Sequence, residues 1–269
     1  MALASCQGGR GRCEPAGGTR RSAPGCACRC LSLVANDIKR VIAYSSIAHM
    51  GYTMFGLSLF PAALASGNTV ALASPIALAI VGTVLHIITH AASKGLFFLT
   101  AGGVMHQTEK RDIREMGGLA GKMPFSAVSG MIAALSIAGA PPLACFISEF
   151  FIFMGAFQII QIDSFYIIPT ALMLIATVFS LAYSLRFISK VFFGQSKDEQ
   201  GAVQVAHDAH ANQSQPEAPM TEGHGHKITD IPNYMKAALA ILVVLVVLIG
   251  IYPTFFVQLI QTVTFGAVA

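Results

Sequence analysis

Charge is what this chain has least of. Only 11% of its 269 residues are Asp, Glu, Lys or Arg, against about a quarter in an ordinary soluble domain. Apolar residues make up 54%, and that balance excludes a water-soluble globule in favour of a protein solvated by lipid. Strict alternation of apolar and polar residues is also missing, which excludes the strands of a membrane barrel. No phosphate-binding loop, dinucleotide fingerprint or Ser-His-Asp set appears, and nothing ligates a redox centre, so neither a cofactor nor a catalytic residue is expected in this chain. The formal charge of +4 is not a nucleic-acid signature, because the basic residues sit in an arm and in loops rather than on one patch.

What is there is five long apolar stretches, near 41–62, 73–105, 124–158, 165–192 and 235–258. Each meets the roughly 20 residues that a helix needs to cross a bilayer. Lipid offers no partners to backbone polar groups, so the expected fold class is all-α, a polytopic transmembrane helix bundle. Lys and Arg gather at 36–40, 109–122 and 186–197 and are absent from 61–72 and 158–164. Counting them puts the first three loops on the cytoplasmic side. The count works only if 124–158 crosses once, although Ala140, Pro141 and Pro142 interrupt it, so one discontinuous helix is expected. The final helix then runs from the cytoplasm and ends outside.

Two charges stand alone inside these stretches. Lys94 is the only one between Arg40 and Glu109, and Glu149 the only one between Lys122 and Asp163. His86, His90 and Lys94 recur every fourth residue and so share one helical face. Ionisable groups in a bilayer are costly and mark ion or proton paths by default. Broken helices often mark such sites too. His49, within the first stretch, joins the set, with Tyr44, Ser45 and Ser46 expected to hold its water. The candidate proton-transfer residues are therefore Glu149, Lys94, His90, His86 and His49. Lys39 and Arg40 read as snorkelling anchors, Arg186, a turn from Tyr183 near the cytoplasmic end of its helix, as an anchor, and His106 as interfacial. Cys145 reads as a small packing residue at the break.

Residues 37–51 read D-I-K-R-V-I-A-Y-S-S-I-A-H-M-G, residues 86–94 carry H-x-x-x-H-x-x-x-K, 111–119 read R-D-I-R-E-M-G-G-L, and 139–150 read G-A-P-P-L-A-C-F-I-S-E-F. Together these motifs resemble the antiporter-like subunits of respiratory complex I. Glu149 and the A-H-M-G context of His49 resemble the M-type subunit, the counterpart of mitochondrial subunit 4. The resemblance covers about 33–269 and corresponds to the carboxy-terminal part of that family, the second of two half-channels. It implies a subunit that translocates protons, driven by quinone reduction elsewhere in the complex, with other membrane-arm subunits as partners. The related large subunits of sodium/proton antiporter complexes share these motifs and stay open as an alternative, as does a non-conducting fragment. The implied location is the cell membrane, multi-pass, or the inner mitochondrial membrane for an organellar protein.

Residues 1–32 contain Cys6, Cys13, Cys26, Cys28 and Cys30 among Gly, Arg and Pro, without the apolar core of a signal peptide. No matching His set or paired C-x-x-C completes a zinc site. A non-family arm from a mis-called start or a fragment boundary is expected. Residues 197–232 form a polar loop with His207, His210, His224 and His226, read as a disordered linker rather than a metal site. No metal is expected. Residues 33–196 are expected to hold the transmembrane helices of the second antiporter-like half-channel, and 233–269 complete the division as last helix and tail.

Overall fold

The structure, a computed structural model, describes residues 33–65, 69–161, 163–194 and 230–265. The readings made for the cysteine-bearing arm and for the four loop histidines lie outside the described residues. Helix α1 spans Ile38–Ala65, α2 Thr69–Thr108, α3 Leu119–Lys122, α4 Pro124–Ile137, α5 Ala144–Ile160, α6 Ile167–Ile188, α7 Asn233–Ile251 and α8 Pro253–Phe265. A 3-10 turn at Ser164–Tyr166 leads into α6 and a π turn at Ser189–Phe193 ends it. Among the described residues the only β-type pairing is an isolated bridge between Asp37 and Asp112. The protein is an all-α membrane bundle.

Helix α2 is its axis, packing against α1, α4, α5, α7 and α8. Three stretches among the described residues are long and apolar enough to cross a membrane unaided: Ala73–Thr108, Ser164–Phe193 and Asn233–Ile251. More than half of the first is buried within the protein, whereas the other two are mostly exposed, as lipid-facing helices should be. Helix α1 is long enough but turns polar groups inward. Ser45, His49 and Thr53 are buried, while Ile47, Met54 and Leu57 point out. That polarity suits lipid, where the apolar face needs no partner and the polar face does.

Close approach of α2 and α5 depends on two glycines. A methyl group at Gly82 would lie 2.8 Å from the Ile152 backbone nitrogen, and one at Gly155 would lie 2.7 Å from the Pro75 carbonyl oxygen. Small residues at such crossings are the usual way membrane helices bring their backbones together.

The expected break falls between α4 and α5. Gly139 takes φ +72°, the left-handed region that glycine enters freely. Its N–H bonds Ser136 O at 3.1 Å while Ala140 N–H bonds Leu135 O at 3.0 Å, which is the Schellman closure of a helix end. Carbonyls freed by the prolines' interruption are thus met partly by the chain itself. The peptide between Pro141 and Pro142 is cis, and Leu143 N–H returns to Ala140 O at 3.0 Å.

One expectation is corrected. The last stretch is not a single helix over 235–258, because α7 stops at Ile251 and α8 begins at Pro253. Pro253 brings no N–H and disfavours the helical region for its predecessor. Tyr252 accordingly sits at φ −124°, ψ 65°. Helix α8 then folds onto α2 and α7, burying Ile260.

Asp230 ties the entry of α7 to the start of α4. Its carboxylate accepts from Phe125 N–H at 3.3 Å and Ser126 Oγ at 2.8 Å, and lies 3.6 Å from Lys236 Nζ. It serves as a cap borrowed from another segment, since Met123, at the N-cap of α4, provides none. Burial pushes this carboxyl up. The Ile231 N–H, Ser126, Lys236 and Phe125 outweigh that and hold it below the usual carboxylate range. Stability from the contact is therefore present above the ordinary carboxylate range and is lost as pH falls through the lowered folded value. Asp230→Ala is expected to cost about 1 kcal/mol at neutral pH, read as a lower melting temperature in detergent, with the difference from wild type shrinking as the medium is acidified.

Candidate functional site

The α1, α2 and α5 crossing places all five sequence-chosen residues in one buried cluster. His86 and His90 rings stack along α2 with centroids 5.8 Å apart, and His49 from α1 lies against both, at 5.6 Å and 4.9 Å. His49 Nδ1 is 3.6 Å from Glu149 Oε1 on α5. Lys94 follows His90 by one turn of α2. Its Nζ donates to Ile42 O at 2.9 Å and to Ser45 Oγ. The oxygens holding this ammonium are neutral, and the ring of Phe97 adds a contact with its centroid 6.0 Å away. The row runs from Lys94 through His90, with His49 and His86 together in the middle, to Glu149.

Hydroxyl groups support it. His86 Nδ1 and Ser148 Oγ are 2.9 Å apart, and Ser148 Oγ lies 3.1 Å from Thr89 Oγ1 and donates to Cys145 O at 2.9 Å. Ser93 and Ser136 pair at 2.7 Å, with the Cys145 thiol 3.5 Å from Ser93. Cys145 is thus buried at the start of α5 and also faces this polar strip. At the far end, Glu149 sits in the floor of an apolar groove of about 390 Å³ between α5 and α6, whose walls include Phe146, Phe150, Phe157 and Val178. Gly139 makes room for the carboxylate, since a methyl group there would lie 2.8 Å from Glu149 Oε2.

Two readings of individual residues change. Ser45 and Ser46 both turn back to Ile42 O, at 2.8 Å and 3.2 Å, and Ser45 engages Lys94 rather than His49. The partner of His49 is Tyr183, whose hydroxyl lies 3.2 Å from Nε2. Tyr183 is 1% exposed, so this contact lies wholly inside the bundle. A signal was present: Thr170, Ser180, Tyr183 and Ser184 are the polar positions that the otherwise apolar α6 buries. Arg186 does anchor, donating to Ala35 O and Asn36 Oδ1, both at 2.8 Å, and so clamps the entry to α1. Lys39 and Arg40 are exposed, their backbone N–H groups capped by Asp37. His106 is exposed near the end of α2.

One nitrogen from each of His49, His86 and His90 falls within 4.8 Å of the others, the donor set among the described residues that could take a transition ion. Tyr183 and Ser148 would be its outer partners. The neighbouring Lys94 argues for a proton instead, because a divalent cation would add repulsion beside an ammonium held only by neutral oxygens.

Residues 27–180 match the transmembrane family model described as NADH:quinone oxidoreductase/Mrp antiporter. The chain belongs to this family. Among relatives, the A/B component of a probable K(+)/H(+) antiporter of Rhizobium meliloti is 32% identical over 82% of this chain and 18% of its own length. NADH-quinone oxidoreductase subunit M of Pseudomonas aeruginosa is 34% identical over 63% of this chain and 29% of its own. The A component of a Na(+)/H(+) antiporter of Alkalihalophilus pseudofirmus is 36% identical over 64% and 22%. The chain thus spans less than a third of the length of these relatives. In solved structures, a chain of the archaeal membrane-bound sulfane sulfur reductase superposes with a TM-score of 0.63 at 26% identity, covering 87% of this chain and 32% of that one. A chain of the Dietzia Mrp complex superposes with a TM-score of 0.67 at 16% identity, covering 89% and 44%, a likeness of fold. These relatives are named as subunits of antiporters and of a quinone oxidoreductase, and this chain is an antiporter-like membrane protein of their family.

Proposed function

We propose that this chain carries a proton half-channel of a quinone-reducing respiratory complex in a bacterial-type cell membrane, with protons passing along Lys94, His90, His86, His49 and Glu149. The observation that carries it is the burial of five ionisable groups from three helices in one cluster, with His49 against His86, His90 and Glu149 and with Lys94 one turn beyond His90. Redox chemistry belongs to partner subunits of the membrane arm; this chain's own groups hold protons and hand them on. Like charges repel more strongly inside a protein than in water, because the effective dielectric is lower. A proton settling on Lys94 therefore discourages one on His90 and favours its passage toward Glu149. A charge arriving beside either end from a neighbouring protein of the complex would load or release the row in the same way.

A second reading, membership of a cation/proton antiporter, is favoured by the match over 82% of this chain to an antiporter component. Inside-out vesicles from the native host separate the two. The respiratory reading expects acidification of the lumen on adding an electron donor and quinone, lost when the chain is deleted, and no response to Na+ or K+. Dissipation of an imposed pH gradient by Na+ or K+ without electron flow would assign the antiporter instead.

A further inference from the structure

Tyr183 lies outside the row but touches its most connected member. Its hydroxyl is 3.2 Å from His49 Nε2, both side chains are buried, and the other nitrogen of that ring, Nδ1, faces Glu149 Oε1 at 3.6 Å. An ionised carboxylate can only accept. A favourable contact with Glu149 therefore requires the proton of neutral His49 on Nδ1, which leaves Nε2 bare to accept from the Tyr183 hydroxyl. Glu149 selects this tautomer, and the Tyr183 hydroxyl, able to donate, satisfies the bare nitrogen that it leaves.

We propose that Tyr183 is a positioning residue that holds the His49 ring by its Nε2, donating to it while Nδ1 carries the proton and following it through proton transfer. When His49 gains a second proton, both nitrogens donate, and the Tyr183 hydroxyl, donor and acceptor at once, rotates to accept from Nε2. The Nδ1–H bond of this imidazolium then breaks, its proton goes to Glu149 Oε1, and a neutral carboxyl faces a neutral ring protonated on Nε2. Phenylalanine could neither donate nor accept. The inference rests on the relay reading for its transport consequence but not for its structural one.

Solid-state NMR of the full complex in lipid, with ¹⁵N-labelled histidine and the His49 signals assigned by difference from His49→Gln, reads the ring directly. At a pH where His49 is neutral, the expected result is a protonated Nδ1 and a bare, hydrogen-bonded Nε2, with Tyr183→Phe moving the Nε2 signal toward the value of a bare nitrogen without a donor. A proton found on Nε2 in the wild type, or an Nε2 signal unmoved by Tyr183→Phe, overturns the proposal. In vesicles, Tyr183→Phe is expected to slow coupled proton transfer by about tenfold, the worth of roughly one hydrogen bond, with assembly intact on native gels. Transport that His49→Gln abolishes and Tyr183→Phe leaves untouched overturns the positioning role. Transport indifferent to both substitutions overturns the relay reading instead, and the NMR result stands apart from it.

Discussion

Glu149→Gln is expected to reduce coupled proton transfer at least a hundredfold, about the lower end of what a positioned proton-transfer group contributes, while the complex still assembles. Glutamine keeps the volume of the side chain and accepts through its carbonyl, so the fit against Gly139 and the groove floor is preserved. What it cannot do is hold a proton handed over by His49 Nδ1, 3.6 Å away in the wild type. A pH-sensitive dye in inside-out vesicles gives the rate, and a native gel gives the assembly. Undiminished pumping by an assembled variant would remove Glu149 from the path.

Lys94→Met should cost more than His86→Ala or His90→Ala taken singly. His49 lies against both α2 histidines, so losing His86 leaves the row joined through His90, and losing His90 opens a gap of one ring that water can bridge, whereas water cannot supply the charge of Lys94. No second cation stands beside Ser45 and Ile42 O to replace Lys94 among the described residues. The double variant lacking both His86 and His90 leaves His49 with no imidazole leading to Lys94, and it should approach the Lys94→Met loss. Dye-quenching rates for the four variants, each normalised to assembled complex, decide the order. If Lys94→Met pumps at the wild-type rate, the row is structural.

The cluster was readable in sequence to the extent that one helix carried it. His86, His90 and Lys94 announce a common face by spacing alone, and Glu149 is conspicuous because nothing charged lies near it in the chain. The break between α4 and α5 was legible because proline acts locally. Pro253 obeys the same rule, yet the apolar run through 235–258 masked it, since composition continues across a bend that only backbone geometry reveals. The Tyr183 contact was out of reach for a different reason. It joins residues 134 positions apart, and no periodicity within α6 says which helix its polar side chains face. The contact of Ser45 with Lys94 was out of reach on the same ground: proximity along the chain pointed to His49, and the crossing of α1 with α2 supplied a further partner.

The seating of Gly82 and Gly155 against opposing backbone has a consequence for how the gene can change. At both glycines a β-carbon would meet opposing backbone within 3 Å, so a shift of register that set a side chain there would part the helices. Substitutions leave that register alone, but one inserted or deleted residue between Gly82 and Lys94 would swing everything beyond it by about 100°. If the seat holds, the ionisable groups then turn toward lipid; if it slips, the helices part. Chain length over this segment is therefore as tightly constrained as the identity of any residue within it, and variation here should proceed by replacement alone.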